Sequence, residues 1–301
     1  MPRLIAGLVA AAALLLAACS GGSDDGANGG SDSTATELPT ASLVATPTTS
    51  PTPGPTGPQP LYLALGDSLS VGVGASNEPA LGWVGLVSAA LTEWDLSNLG
   101  VSGDDSRELL FGGPLDEGLR LIAQRASDAE PGNDVGAITL EIGGNDLLDI
   151  FFDLVIPGDC PSVVEALQRQ ACVNALESAL IAYRSNLTQT LERLAEAAPD
   201  TPVFLMTIYN PFSGGSSVLD EMGVLSLEGQ EGTEFPQGLN DIIREVGDEA
   251  GVTVVEWYEL FLGKQSQYIA QDLIHPNDTG HAVMAAAVTE AMALAALPVV
   301  D

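Results

Sequence analysis

Three groups of residues in this chain have the types and spacing for nucleophilic chemistry. The first is Ser68, in the stretch Leu63 to Gly74, where an apolar run ends in glycine, aspartate, serine and further glycines. A serine hydroxyl is a weak nucleophile alone and needs a base, a group that orients the base, and donors for the developing oxyanion. The segment Asp272, Leu273, Ile274, His275, Pro276 offers the base. A carboxylate three residues before a histidine, with a proline fixing the backbone after it, can hold the imidazole in one tautomer and stabilise its charged form. Donors come from two further turns. Gly103 lies in a turn where no side chain blocks approach to its N–H, although it reads equally as a plain turn residue. Asn145, in Gly143, Gly144, Asn145, Asp146, carries an amide suited to an oxyanion and reads equally as a helix cap; here Asp146 caps the helix while Asn145 points inward.

These residues need a scaffold that delivers them to one place. Five short apolar runs, Leu61 to Leu65, Leu96 to Val101, Val135 to Ile142, Pro202 to Tyr209 and Val252 to Trp257, read as strands. Helical stretches lie between and after them: Leu81 to Trp94, Leu115 to Ser127, Pro161 to Ala198 in two segments, Gly238 to Ala250 and Thr279 to Ala296. This alternation is the mark of an α/β fold with a parallel sheet, in which ligands bind beyond the carboxyl ends of the strands. Ser68 follows the first such run and Asn145 the third. Gly72 and Gly74 do not form a dinucleotide fingerprint, because Asn77 stands where its third glycine belongs. His281 has no carboxylate spaced to orient it and is read as non-catalytic, with Asp278 and Thr279 capping the last helix.

With these residues in place, the chain resembles the GDSL-type, or SGNH, hydrolases. Four blocks stand in family order: Gly66, Asp67, Ser68, Leu69; Gly103 within Ser102, Gly103, Asp104; Gly143 to Asp146; and Asp272 to His275. The resemblance implies a three-layer α/β/α, flavodoxin-like fold with a five-stranded parallel sheet of order 2-1-3-4-5. It implies Ser68 as nucleophile, His275 as general base and Asp272 as its orienting acid. The oxyanion hole it implies is made by the N–H groups of Ser68 and Gly103 and the amide of Asn145. It calls for no cofactor and no metal. Three functions follow as expectations: a serine esterase or lipase for lipid or simple acyl esters, an O-acetyl esterase on polysaccharide or cell-wall glycan, and a non-catalytic binding lipoprotein that retains the fold.

The chain's start reads as an address. Met1 to Ala18 has one basic residue, an apolar run and small residues before Cys19, a secretory pattern too short for a comfortable membrane span. Leu16, Ala17, Ala18, Cys19 resembles a bacterial lipobox, which implies cleavage before Cys19, its acylation, and an extracytoplasmic protein held at the membrane by lipid. Residues 19–60 read as a Gly, Ser, Thr and Pro linker reaching about 35 Å or more, and residues 61–301 as one hydrolase domain. The two remaining cysteines, Cys160 and Cys172, read as a disulfide in such a compartment, and their spacing suits no zinc motif. A net charge of −32, from 41 acidic and 9 basic residues, excludes a basic face for nucleic acid. Two segments stay open. Leu147 to Ile156 reads as acyl-pocket lining or ordinary core, and Asn210 to Phe235 as a substrate-selecting lid or rim, or a surface insertion.

Overall fold

The computed structural model describes residues 57–128 and 130–299. The leader, Cys19 and the linker up to residue 56 lie outside the described residues. The apolar run Leu61–Gly66 forms strand β1, and all six of its residues are buried. Burial on both faces is what a continuous apolar run in a central parallel strand requires. It pairs in parallel with β2 (Asp95–Asn98) on one side and β3 (Val135–Glu141) on the other. Strands β4 (Val203–Met206) and β5 (Thr253–Val255) complete a five-stranded sheet of order β2-β1-β3-β4-β5.

Alternate side chains of β1 feed two cores. Leu61, Leu63 and Leu65 join one apolar cluster, and Tyr62 and Ala64 the other. The first is covered by helices that include the long α6 (Gln170–Ala197) and α8 (Leu239–Ala250). The second is covered by α2 (Trp83–Ala90) and α9 (Asp278–Leu294), with Trp83 edge-on to Trp257 at 5.2 Å between ring centroids. Two cores on opposite faces of one sheet make three layers. Between these elements lie α1 (Ser68–Val71), α3 (Ser106–Phe111), α4 (Pro114–Ser127), α5 (Gly144–Ile150) and α7 (Ser217–Glu228).

The sheet order sets the site. The chain leaves β1 for β2 on one side and then crosses to β3 on the other, so a crevice opens beyond the carboxyl ends of β1 and β3. Ser68 begins α1 immediately after β1, and Asn145 lies in the first turn of α5 immediately after β3.

Helix boundaries differ from expectation where local chemistry intervenes. The stretch from Pro161 divides into a single turn, Val163–Ala166, and α6, with Cys160 and Cys172 joined by a disulfide across the break. The first helical stretch, expected over Leu81 to Trp94, is shorter as α2, and a separate turn of helix, Glu78–Leu81, precedes it across Gly82. Helix α9 is capped by Asn277, whose side chain accepts from the N–H groups of Thr279 and Gly280, and not by Asp278. Asp278 instead accepts from the Ser76 N–H and hydroxyl at 2.6 and 2.7 Å, holding the loop after Ser68 to the last helix. Helix α7 was not expected. Its twelve residues carry two glycine or serine interruptions, Gly223 and Ser226, and a weak apolar stripe, so tertiary packing forms it. Among the described residues, no helix is long and apolar enough to cross a membrane.

Candidate active site

Gly66 ends β1 where a Cβ would collide with the Glu141 carbonyl and the Ser70 hydroxyl, so only glycine lets the chain turn there. Asp67 caps the turn that follows, its carboxylate accepting from the Leu69 N–H at 2.9 Å. The next residue, Ser68, is thereby held at the helix start, partly exposed to the crevice. His275 arrives from the far end of the chain and places Nε2 at 2.9 Å from Ser68 Oγ. Its Nδ1 lies 2.6 Å from Asp272 Oδ2. The other oxygen, Asp272 Oδ1, accepts from the backbone N–H groups of Ile274 and His275, each at 3.0 Å. Hydroxyl, imidazole and carboxylate therefore stand in series.

Several contacts fix the Asp272–His275 turn. Leu273 adopts a left-handed φ of 66°, a strained conformation for leucine that lets the carboxylate fold back on the ring of His275. The Tyr209 hydroxyl donates to the Ile274 carbonyl at 2.7 Å, and the Tyr209 ring stacks on Phe261 at 4.3 Å. Gly74, at φ 95°, lets the loop after Ser68 pass close to His275 and Pro276; a Cβ there would lie 2.9 Å from the Cβ of His275 and against the Pro276 carbonyl.

Burial would raise the Asp272 carboxyl, but the bond from the His275 ring and those from the two backbone N–H groups outweigh it and hold it below the usual carboxylate range. An ionised Asp272 favours the tautomer with the proton on Nδ1 and leaves Nε2 free to accept from Ser68. His281, the other histidine, is fully buried, accepting from the Trp83 N–H at 3.3 Å and donating to the Val73 carbonyl at 3.1 Å. Burial lowers its pKa, so it stays neutral and ties the loop after Ser68 to α2 and α9.

The Asn145 amide faces the same crevice, donating to the Asp104 carbonyl at 2.8 Å and to Asp67 Oδ2 at 3.2 Å. The longer bond is the one an oxyanion would draw away. Among the described residues, the N–H groups of Ser68 and Gly103 have no acceptor. Gly103 lies exposed in the turn after β2 at φ 91°, next to the Asp104 carbonyl that holds Asn145. Asp146 does not cap its helix, a position taken by Gly143. It reaches across to α3, accepting from the Ser106 N–H at 2.9 Å and its hydroxyl at 2.5 Å, and burial lifts its carboxyl to about 6. This bridge ties the Asn145 turn to the elements after β2.

One group escaped the sequence reading. Glu141, at the end of β3, is fully buried, and neither of its carboxyl oxygens has a hydrogen-bond partner among the described residues. Burial, reinforced by the charge of Asp67, pushes its pKa well above the usual range, so it is a neutral acid behind the Ser68 turn. Burial likewise lifts Asp67 to about 6. The available signal was a lone carboxylate in the otherwise apolar strand Val135–Glu141.

From Ser68, Asn145 and His275 a cavity of about 140 Å³ runs into the protein, and its lining is almost wholly apolar. Leu147, Leu148, Ile150, Phe151 and Val155 form one wall, so this segment is pocket lining. The stretch Asn210 to Phe235 forms another through Phe212 and the α7 residues Leu219, Met222 and Leu225, and so is a rim and wall. The disulfide pair Cys160 and Cys172 lies at the roof.

A sheet of this order with an aligned hydroxyl, imidazole and carboxylate at its switch point defines an α/β serine hydrolase. The GDSL-like Lipase/Acylhydrolase family model matches residues 64–283, and the chain belongs to that family. It is an ester-hydrolysing serine hydrolase, and the non-catalytic alternative is set aside. The spore germination lipase LipC of Bacillus licheniformis is 26% identical over 234 residues, covering 74% of this chain and 92% of the lipase. Among solved structures, the lipase Lip_vut3 from a goat rumen metagenome matches with a TM-score of 0.55 at 23% identity, over 77% of this chain and 97% of its own. Phospholipase A1 from Streptomyces albidoflavus matches with a TM-score of 0.51 at 17% identity, over 77% of this chain and 99% of its own. These two structures share the fold.

Proposed function

We propose that the protein is a serine esterase for carboxylic esters with an apolar acyl chain, acting through an acyl-enzyme on Ser68. Ser68 Oγ attacks the ester carbonyl while His275 Nε2 takes its proton, and Asp272 stabilises the charged ring. The tetrahedral oxyanion accepts from the Ser68 and Gly103 N–H groups and the Asn145 amide. Collapse expels the alcohol, which takes the proton from His275. Water then gives a proton to His275 and attacks the acyl carbonyl, releasing the acid and free Ser68.

The observation that carries the choice of substrate is the apolar cavity opening directly at Ser68 and His275. An acetyl group needs no such depth, so nothing specific favours the glycan O-acetyl esterase alternative. The similarity to a spore germination lipase supports the same reading. We place the enzyme outside the cytoplasm, anchored by lipid on Cys19; the lipobox-like sequence and the Cys160–Cys172 disulfide support this.

Hydrolysis of p-nitrophenyl esters from acetate to octanoate by the full chain, with Ser68→Ala beside it, tests the proposal. Turnover should rise from acetate to octanoate and vanish in Ser68→Ala with the circular dichroism spectrum unchanged. Undiminished activity in Ser68→Ala, or a preference for acetate, would overturn it.

A further inference from the structure

The apolar cavity has a neighbour. Along α6, Val173 and Leu176 face the cavity, while Glu177, Leu180, Ile181 and Arg184 line a groove on the outer side. The groove is larger, about 800 Å³. Only Val173 and Phe235 line both, and both are buried, at 7% and 6% exposure. These two side chains are the partition.

Phe235 sits in a short closed turn. The Gln230 N–H donates to the Phe235 carbonyl at 2.7 Å, and the Phe235 N–H donates to Thr233 Oγ1 at 3.1 Å. Its neighbours Glu234 and Pro236 are exposed, so the ring is a single inward plug on a surface turn. Beyond it the groove is mixed, with an apolar strip of Leu180, Ile181, Pro236 and Ile242 beside polar and charged residues, and Ile181 is 64% exposed. Glu177 and Arg184 stand among the polar residues of the groove, and Arg184 is neutralised by Glu245 at 2.5 Å.

The inner cavity sets a limit on chain length. At about 140 Å³ it is much smaller than the groove of about 800 Å³ beyond Phe235, so long chains outrun it first. We infer that the outer groove is a second acyl subsite, taking the distal methylenes of chains too long for the cavity, and that Phe235 gates it. The inference rests on the acyl-ester reading above. An apolar strip that continues the cavity past Val173 and the Phe235 ring fits an alkyl chain, whose transfer from water is driven by area alone.

The test uses the full chain and compares kcat/KM on p-nitrophenyl butyrate, which fits the cavity, with that on the palmitate in the same mixed micelles. Phe235→Ala should raise the palmitate-to-butyrate ratio by about tenfold, the gain from about two further methylenes leaving water. Adding Ile181→Glu should remove that gain in the palmitate-to-butyrate ratio. Phe235→Leu, a milder change that keeps the turn apolar, should move the ratio in the same direction by less. A ratio that falls or stays fixed in both Phe235 variants, or a gain that survives Ile181→Glu, would overturn the gate. Absence of Ser68-dependent butyrate turnover in the wild type would instead remove the acyl-ester reading itself.

Discussion

Removing the Cys160–Cys172 cross-link tests whether the roof of the cavity sets chain-length selectivity. The bridge joins residues 12 apart, and closing a loop of that size is worth about 3 kcal/mol. The other contacts that hold the roof are local. Its own apolar cluster has three buried residues, Cys160, Ala166 and Cys172, with Leu154, Val155 and Met222 packed against them. Local hydrogen bonds run from the Cys160 N–H to the Leu154 carbonyl at 2.8 Å, from the Glu165 N–H to the Ser162 hydroxyl at 3.3 Å and from the Arg169 guanidinium to the Asp159 carbonyl at 2.5 Å. None of Ser68, Asn145, Asp272 or His275 belongs to this segment. The lost free energy therefore falls on local opening of the roof rather than on the sheet. At about 1.4 kcal/mol per decade, 3 kcal/mol shifts the opening equilibrium by at most about a hundredfold. In Cys160→Ala/Cys172→Ala, kcat/KM for p-nitrophenyl octanoate should drop by up to that factor. The acetate, whose transition state makes no contact with the roof, should stay within about twofold. Alanine is preferred to serine because both positions are buried in an apolar cluster. Reduction of the wild type with dithiothreitol should reproduce the profile. Parallel loss on both esters, or an unchanged ratio with the cross-link shown to be absent, would refute the assignment of the roof to acyl binding.

Other perturbations probe the site and the fold. Asn145→Ala should lower kcat by about 10²–10³ with little change in KM, because its amide acts on the oxyanion and not on the ground-state ester; equal loss in KM would point to substrate binding instead. Gly74→Ala forces a Cβ against the Pro276 carbonyl at a φ of 95° and should displace His275, cutting kcat/KM sharply; normal activity would show that the loop has room to move. A pH effect on stability follows from Asp146, whose carboxyl is raised by burial from 3.8 to about 6 on folding. The folded form binds the extra proton in that window, so the contribution is fully present below about pH 4 and is lost as pH rises through 6. Discounted for partial exposure, it amounts to about 2 kcal/mol or less. Urea denaturation of Asp146→Asn should show a flatter dependence between pH 4 and 6 than the wild type, and an identical slope would remove Asp146 as its source.

The sequence by itself determined the class of scaffold and supplied the candidate reacting groups. Ser68 after an apolar run, and Asp272 three residues before His275, follow local rules: a tight turn at a strand end and a carboxylate within reach of an imidazole. Both are written in a few adjacent residues, as is the alternation of short apolar runs that makes a parallel sheet. What the tertiary structure decided concerns residues far apart in the chain. Asp146 and Asp278 were read as helix caps because capping is the local option for an aspartate. The fold instead sends the first to Ser106 and the second to Ser76, over separations that no window can see. Glu141 looked like one acid among 41, and only burial at the switch point makes it a neutral acid behind Ser68. Helix α7 and the disulfide-tied roof became a cavity only when packed against Phe151 and α6, because a cavity belongs to no segment. Local chemistry fixes which atoms can react; long-range packing fixes what they are allowed to meet.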